Sequence, residues 1–328
     1  MNVSLVIPTF MRAELLRITL PKLARQRTEL EYEVIFVDNG STDETQAVIA
    51  AAMELYPGRF RYFYTPPSGG PSRPRNIGVR NARGEIVIIL DDDVVPEPDF
   101  VQHHWNFHQR RPEPECAALG EVYVPNELKR DPMSLFHDFP YNEVRKSGVL
   151  SYLFFWTCNV SLKREYMLNC GMFSEDVLYY EDLVCGHKLA ANGMRLYFCP
   201  EARGAHMHKL RREGVPKKGR FIGRWLFALT MLIPELAVKE RFGILTPEIG
   251  WVPLMGKLLR RAVFRVTDNP LTLSLLKLLG AEWKERNPVT DLYYYLIFRR
   301  NMLAGYYEAR AEFKAQSTQS KELLGQTS

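Results

Sequence analysis

Residues Ile86–Leu90 read Ile-Val-Ile-Ile-Leu and are followed at once by Asp91-Asp92-Asp93. Three adjacent carboxylates repel one another, so a folded chain keeps them together only where positive charge is at hand. The apolar run before them has the composition of a strand buried on both faces of a parallel sheet. Ligands of open α/β sheets sit beyond the carboxyl ends of the strands. Oxygen-seeking divalent ions such as Mg²⁺ or Mn²⁺ bridge such acids to substrate phosphates. A solvated acidic turn is the competing reading of the same three residues.

Two further groups could do chemistry. Glu181-Asp182 stands at the head of a helical pattern, where acids also favour the helix dipole. A carboxylate there could instead remove a proton from an attacking hydroxyl. His206 and His208 lie two residues apart on an extended segment, so both rings could face one site. The first strand-to-helix turn, Pro8-Thr9-Phe10-Met11-Arg12, lacks a G-x-G-x-x-G pattern, which argues against a dinucleotide-dependent dehydrogenase. The second strand ends in Asp38-Asn39-Gly40, an acid and a glycine turn that can bond a base or ribose, or merely cap the next helix.

The elements that must hold these residues alternate in βαβ fashion. Strands are expected at Val3–Ile7, Glu33–Asp38, Phe60–Tyr64, Ile86–Leu90, Ala117–Val124, Cys158–Leu162 and Arg195–Phe198. Helices are expected at Glu14–Gln26, Asp43–Leu55, Arg75–Asn81, Asp99–Arg110 and Glu181–Asn192, the second entered through a capping box at Ser41-Thr42-Asp43-Glu44. From Pro216 onward the pattern is mainly helical, interrupted by prolines.

In that order and at those spacings, Val-Ile-Pro-Thr-Phe-Met-Arg, Val-Asp-Asn-Gly-Ser-Thr-Asp, Arg75-Asn76-Ile77-Gly78 and Leu90-Asp-Asp-Asp93 resemble the family 2 glycosyltransferases of GT-A fold. The resemblance covers roughly residues 2–210 and is strongest over 2–100. It implies an α/β fold of GT-A type, a Rossmann-like, mostly parallel sheet flanked by helices, with a mainly helical C-terminal region. It further implies an inverting, metal-dependent transfer of sugar from a nucleotide-sugar donor, a UDP-sugar favoured, to a hydroxyl of a glycan or lipid-linked acceptor. Asp38 would read the base, with Pro8, Thr9, Phe10, Arg12, Asn39 and Gly40 around it and Arg75 on the donor phosphate or base. Asp91 and Asp93 would form the D-x-D motif, Asp93 ligating Mn²⁺ or Mg²⁺ and Asp91 facing the ribose or the metal, with His206, or alternatively His208, as a further ligand. Asp92 would orient the donor sugar. Asp182 would be the base and Glu181 would bind the acceptor or substitute as base. Trp156 would offer a ring for an acceptor sugar. Pro74 and Asn39 depart from the family's usual residues at those positions, as does Phe221 in Phe221-Ile222-Gly223-Arg224-Trp225, where processive members carry Gln.

Composition sets the outer bounds. The 328 residues are 46% hydrophobic, enough for one large core or two modest ones. Domains are expected at 1–212 (catalytic), 213–315 (helical) and 316–328 (a disordered tail). The five scattered cysteines contain no C-x-x-C, which favours free thiols in a reducing cytoplasm over a zinc site. No leader segment is read at the N-terminus, and no stretch approaches the ~20 apolar residues of a spanning helix. From Met207 onward 21 Lys and Arg face 11 Asp and Glu, a net +10, against −5 before it. Lys257, Arg260, Arg261 and Arg265 lie among leucines over Leu254–Val266, a pattern that suits either packing against the catalytic domain with the basic face solvated or the inner face of an anionic membrane. The helical third offers a homodimer surface, and no nucleic-acid partner is read. A nucleotidyltransferase and a catalytically silent nucleotide- or glycan-binding scaffold are the rival readings.

Overall fold

A computed structural model of the chain describes residues 1–137, 139, 141–145, 148–207, 210–236, 269–280 and 284–325. They divide into two compact units, Met1–Asn126 with His137–His208, and Glu127–Phe136 with Lys209–Ser328. The expected boundary at 212 did not include the excursion over Glu127–Phe136.

The first unit is built on an eight-stranded sheet in the order β3-β2-β1-β4-β7-β6-β8-β5. Its strands are β1 (Val3–Thr9), β2 (Tyr32–Asp38), β3 (Phe60–Tyr64), β4 (Ile86–Leu90), β5 (Val94–Pro96), β6 (Cys116–Tyr123), β7 (Asn159–Lys163) and β8 (Arg195–His206). Between them in sequence lie α1 (Ala13–Ala24), α2 (Thr45–Leu55), α3 (Ser72–Asn81), α4 (Phe100–Arg110), α6 (Tyr141–Val144), α7 (Arg164–Cys170) and α8 (Glu181–Ala191), while α5 (Asn126–Lys129) opens the stretch that belongs to the second unit. β1 pairs in parallel with β2 and β4, β2 with β3, and β6 with β8. The β4–β7, β6–β7 and β5–β8 pairs are antiparallel. The sheet is therefore mostly parallel but mixed. Every residue of β2 and β4 is buried, as the unbroken apolar runs required.

Glycine fixes how closely α3 approaches the sheet. A Cβ at Gly78 would lie 2.3 Å from Val6 Cγ1, a separation real side chains do not show. The Arg-Asn-Ile-Gly run thus docks its helix on β1 through the one residue without a side chain.

Several local expectations gave way. The capping box does not form: Glu44 precedes α2 without a side-chain cap. Ser41 Oγ instead accepts from Met11 N at 2.8 Å, and Asp43 accepts from Ala13 N and Thr45 N. These residues are drawn into the first βα turn. β8 runs on to His206, beyond the expected Phe198, because β6 pairs with it as far as Ala205 while β5 pairs with Gly204–His206 along its other edge. β5 and α7 had not been read at all.

In the second unit, α9 (Val215–Leu232) packs along α11 (Pro288–Gly325), with α10 (Pro270–Leu278) beside the latter. The α9–α11 crossing is close: a Cβ at Gly223 would fall 1.8 Å from Met302 O, and one at Gly305 2.1 Å from Arg220 O. Arg224 of the Arg-Trp pair bonds Glu312 at 2.6 Å on α11. Arg286 bonds Ser134 Oγ at 3.0 Å and donates its backbone N–H to Arg130 O at 2.6 Å, which binds the 127–136 excursion to this unit. α11 continues to Gly325, through most of the segment expected as a disordered tail; Lys, Gln, Glu and Leu there are good helix formers. The basic segment Leu254–Val266 lies outside the described residues. No described helix is long and apolar enough to cross a membrane. All five cysteines are free.

Candidate active site

The three acids occupy the turn from β4 to β5, closed by Val94 N donating to Asp91 O at 3.1 Å. β5 then pairs antiparallel with the end of β8, setting Val94 opposite His206, and Met207 N donates to Asp93 O at 2.7 Å. Strand pairing alone thus delivers His206 to the acids, with its Nε2 3.3 Å from Asp93 Oδ1. His208 lies outside the described residues.

Much of the positive charge that three adjacent acids demand comes from arginine. Arg12 reaches Asp92 Oδ1 at 3.2 Å and Asp93 Oδ2 at 3.5 Å, and Thr9 Oγ1 donates to Asp92 Oδ2 at 2.8 Å. Arg75, buried, donates to Asp91 Oδ1 at 2.9 Å and to Glu181 Oε1 at 2.5 Å. Burial, reinforced by Asp93, pushes the Asp92 carboxyl up to about 7 against the pull of Arg12. Burial also raises Asp91 despite Arg75. Burial alone would lower Arg75, but Glu181 and Asp91 hold it above its ordinary value. Thr9, Arg12 and Arg75, read as donor contacts, are here the partners of the acids.

A divalent ion finds two donors of suitable chemistry in the Asp93 carboxylate and the His206 imidazole. Asp91 does not join them; it is turned to Arg75, whose buried charge requires a partner. Among the described residues no group of three or more His, Cys, Asp and Glu side chains gathers to hold a metal.

The acceptor-side acids sit on the first turn of α8. The residue before them, Tyr180, has φ 62° and ψ 20°, one of two non-glycine residues at positive φ among those described. The other is Met11, in the first βα turn. For a tyrosine this conformation is strained, and such strain is held only where surrounding contacts enforce it. α3 also ties down the segment that leads to Tyr180, through Ser72 and Asn76. Asn76 Nδ2 donates to Phe173 O at 3.0 Å while its Oδ1 accepts from Phe173 N at 3.0 Å; Ser72 Oγ donates to Val177 O at 3.2 Å. Asn76 was not singled out from the sequence, although its place beside Arg75 was the available signal. Asp182 is half-buried, and its Oδ1 accepts from Leu183 N at 2.8 Å. Burial and the adjacent Glu181 charge lift Asp182 to about 7, against Arg75. Two neighbouring acids are thereby divided, Glu181 bound to Arg75 and Asp182 able to take up a proton near neutrality.

Around the nucleotide position, Asp38 is 1% exposed, accepting from Ser41 N at 2.8 Å and Tyr62 Oη at 2.9 Å. Asn39 accepts from Ser68 N and Oγ and donates to Gly70 O. Gly40, at φ 88°, leaves no room for a Cβ against Pro67. These residues hold the loop that follows β3. Pro8 is half-buried, Thr9 is buried, and Phe10 projects into solvent.

Trp156 is 8% exposed, with Phe139, Phe154 and Tyr141 packed on it at centroid distances of 4.9, 5.4 and 5.5 Å. It supports a wall of the site and does not present an open ring face for a sugar. Phe139, whose ring lies 6.1 Å from that of His206, was missed. Beneath the acids a buried polar net was missed as well. His104 bonds Ser161 Oγ at 2.8 Å and Asn159 Oδ1 at 2.9 Å, and His108 bonds Ser161 Oγ at 2.9 Å. Asn159 Nδ2 donates to Ala202 O at 2.8 Å. Asn159 begins β7 opposite Leu90, so the net braces the strand ends that carry the acids.

Comparison with known proteins accords with this geometry. Over 230 residues the chain is 32% identical to a validoxylamine A glucosyltransferase of Streptomyces hygroscopicus, covering 61% of this chain and 54% of that one. It is 26% identical to the uncharacterized glycosyltransferase YfnE of Bacillus subtilis, covering 59% and 62%. The chain spans about half the length of the curated relatives it matches first. Among solved structures, the mannosyltransferase PcManGT of Pyrobaculum calidifontis, in complex with GDP-Man and Mn²⁺, superposes with a TM-score of 0.60 over 93% of this chain and 87% of that one. TarS 1-349 of S. aureus in complex with UDP gives 0.55 over 96% and 92%. At 19% and 17% identity these two bear on the fold, which is of GT-A type. The sequence profile described as Glycosyl transferase family 2 matches residues 4–167, half of the chain and the half that carries Asp38, Arg75 and the three acids. With that match, the chain belongs to glycosyl transferase family 2.

Proposed function

We propose that the chain is an inverting, metal-dependent glycosyltransferase. It would move a sugar from a nucleoside-diphosphate donor, a UDP-sugar favoured, to a hydroxyl of a glycan or lipid-linked acceptor. The observation that carries this reading is the Arg75 bridge. One buried guanidinium bonds both Asp91, on the donor side, and Glu181, beside the proposed base. Donor-side and acceptor-side acids are thus one charge network, the arrangement a single displacement needs.

In the proposed step, Asp182 accepts the acceptor hydroxyl's proton as that oxygen bonds to the anomeric carbon. The bond from that carbon to the diphosphate breaks, and nucleoside diphosphate leaves from the opposite face. Asp182 suits the role because its carboxyl titrates near neutrality, where a general base is most effective. Glu181, held by Arg75, orients the acceptor. Asp38 and the Asn39-Gly40 turn border the base, and Thr9 with Arg12 keeps Asp92 toward the donor sugar. Asp93 and His206 would hold Mn²⁺ or Mg²⁺, which supplies positive charge against the departing diphosphate. The nucleotide class is supported by the relatives: TarS is solved with UDP and with UDP-GlcNAc, and PcManGT with GDP-Man and Mn²⁺.

The test is a panel of UDP-, GDP- and dTDP-sugars with Mn²⁺, following nucleoside diphosphate release and the anomeric configuration of the product. Release of diphosphate with inverted configuration is expected. Retained configuration would exclude Asp182 as base in a single displacement, and release of pyrophosphate would point to nucleotidyl transfer.

A further inference from the structure

Helix α10 carries leucine on nearly all sides. Leu276 is buried and Leu273 half-buried. Leu271, Leu275 and Leu278 are 82%, 55% and 84% exposed, and Leu279, just past the helix, is exposed too. Their spacing of four, three and one residues places them on one stripe of about 100° at 3.6 residues per turn. Exposed Ser274 borders the stripe on one side, with exposed Lys277 beyond it. Scattered exposed leucines need no explanation, but a contiguous stripe on a helix that already buries Leu276 elsewhere marks a surface that something covers. The helix is also locally well started: Asn269 Oδ1 accepts from Thr272 N at 3.0 Å and Pro270 occupies the first turn.

Charge decides the occupant. The region from Met207 onward is net +10, and the seventeen residues Trp251–Thr267 preceding α10 in the sequence hold Lys257, Arg260, Arg261 and Arg265 with no acid among them. Two copies carry the same positive excess and repel one another. An anionic phospholipid surface satisfies the apolar stripe and the excess cations together. We propose that α10 docks this chain on an anionic bilayer, with Leu271, Leu275, Leu278 and Leu279 entering the boundary between headgroups and acyl chains and Lys277 remaining at headgroup level.

The experiment is co-sedimentation of the full chain with mixed phosphatidylglycerol–phosphatidylcholine vesicles and with pure phosphatidylcholine vesicles. Binding to the mixed vesicles, weakened by salt and absent from the neutral ones, is the expected result. The variant carrying Leu271→Ser, Leu275→Ser and Leu278→Ser should bind on the order of tenfold less with an unchanged melting temperature. Should that variant fold poorly, Leu278→Trp tests the same face by gain, since tryptophan favours the interface and should tighten binding. No binding of the parent chain to the mixed vesicles overturns the proposal, as does equal binding by the serine variant. A concentration-dependent dimer of the parent that the serine substitutions abolish would assign the stripe to a second copy instead.

Discussion

Asp182 and Glu181 are adjacent in sequence, yet the fold gives them different chemistry. Glu181 bonds a buried arginine, whereas Asp182 is lifted to about 7 by burial and by its neighbour's charge. A base that ionises only near neutrality makes turnover rise with pH. The expected profile of kcat/KM climbs between pH 6 and 8 and then levels, and one flat over that window would remove Asp182 from the role. The same shift has a sign for stability. An acid whose folded pKa exceeds its unfolded value loses stability for the fold as pH rises from about 4 to 7. Asp182→Asn should therefore cost activity on the order of a thousandfold while melting no lower than the parent at pH 8. Arg75 is the opposite case. Removing it leaves Asp91 and Glu181 without their buried partner, so Arg75→Met should destabilise by about 3–5 kcal/mol, read from urea midpoints. Adding Glu181→Gln should recover part of that loss; a double variant no more stable than Arg75→Met alone would show that the pair is not the source.

Elements place these residues through contacts no single residue predicts. β5 has three residues and no sequence signal strong enough to read, yet its pairing with β8 is what sets His206 beside Asp93. The His104–Ser161–His108 net under β7 has a consequence for acid stability. Burial lowers His104 to about 4 and His108 to about 3. A histidine lowered in the fold stabilises it above the unfolded pKa of about 6.5 and loses that contribution as pH falls toward the folded value. For His104 the loss amounts to about 3 kcal/mol. Denaturation midpoints should drop between pH 6.5 and 4, and His108→Gln should shallow the drop; an unchanged slope would exclude the net as its cause. At the α9–α11 crossing, Gly223→Ala would press a methyl onto Met302 O. The helices must separate, and overpacking of this kind should cost about 1–3 kcal/mol, outweighing alanine's better helix propensity of about 1 kcal/mol. A variant as stable as the parent would mean the crossing yields easily.

For the molecule as a whole, the clearest readout is ligand-linked stability. A nucleoside diphosphate that binds only the folded state, at a hundred times its Kd, should add about 2.7 kcal/mol. The accompanying rise in melting temperature should need Mn²⁺ and vanish with chelator. A shift equally large after chelation would argue against the two-donor site at Asp93 and His206. A larger shift with GDP than with UDP would reassign the base specificity.

The sequence by itself determined the elements whose signals are local. The strands Phe60–Tyr64 and Ile86–Leu90 stand at the bounds their apolar runs imply, and the order of the motifs carried the family. The sequence also placed the acids at a strand end, because a buried run must stop where charge begins. Tertiary structure decided who pairs with whom. The capping-box residues were taken by the neighbouring turn, Arg75 joined two acids 16 and 106 residues away, and Trp156 was absorbed into packing. Such choices depend on which groups meet across the sheet and which charges would otherwise be buried alone. Those energies arise between residues distant in sequence, where neither spacing nor propensity carries the information.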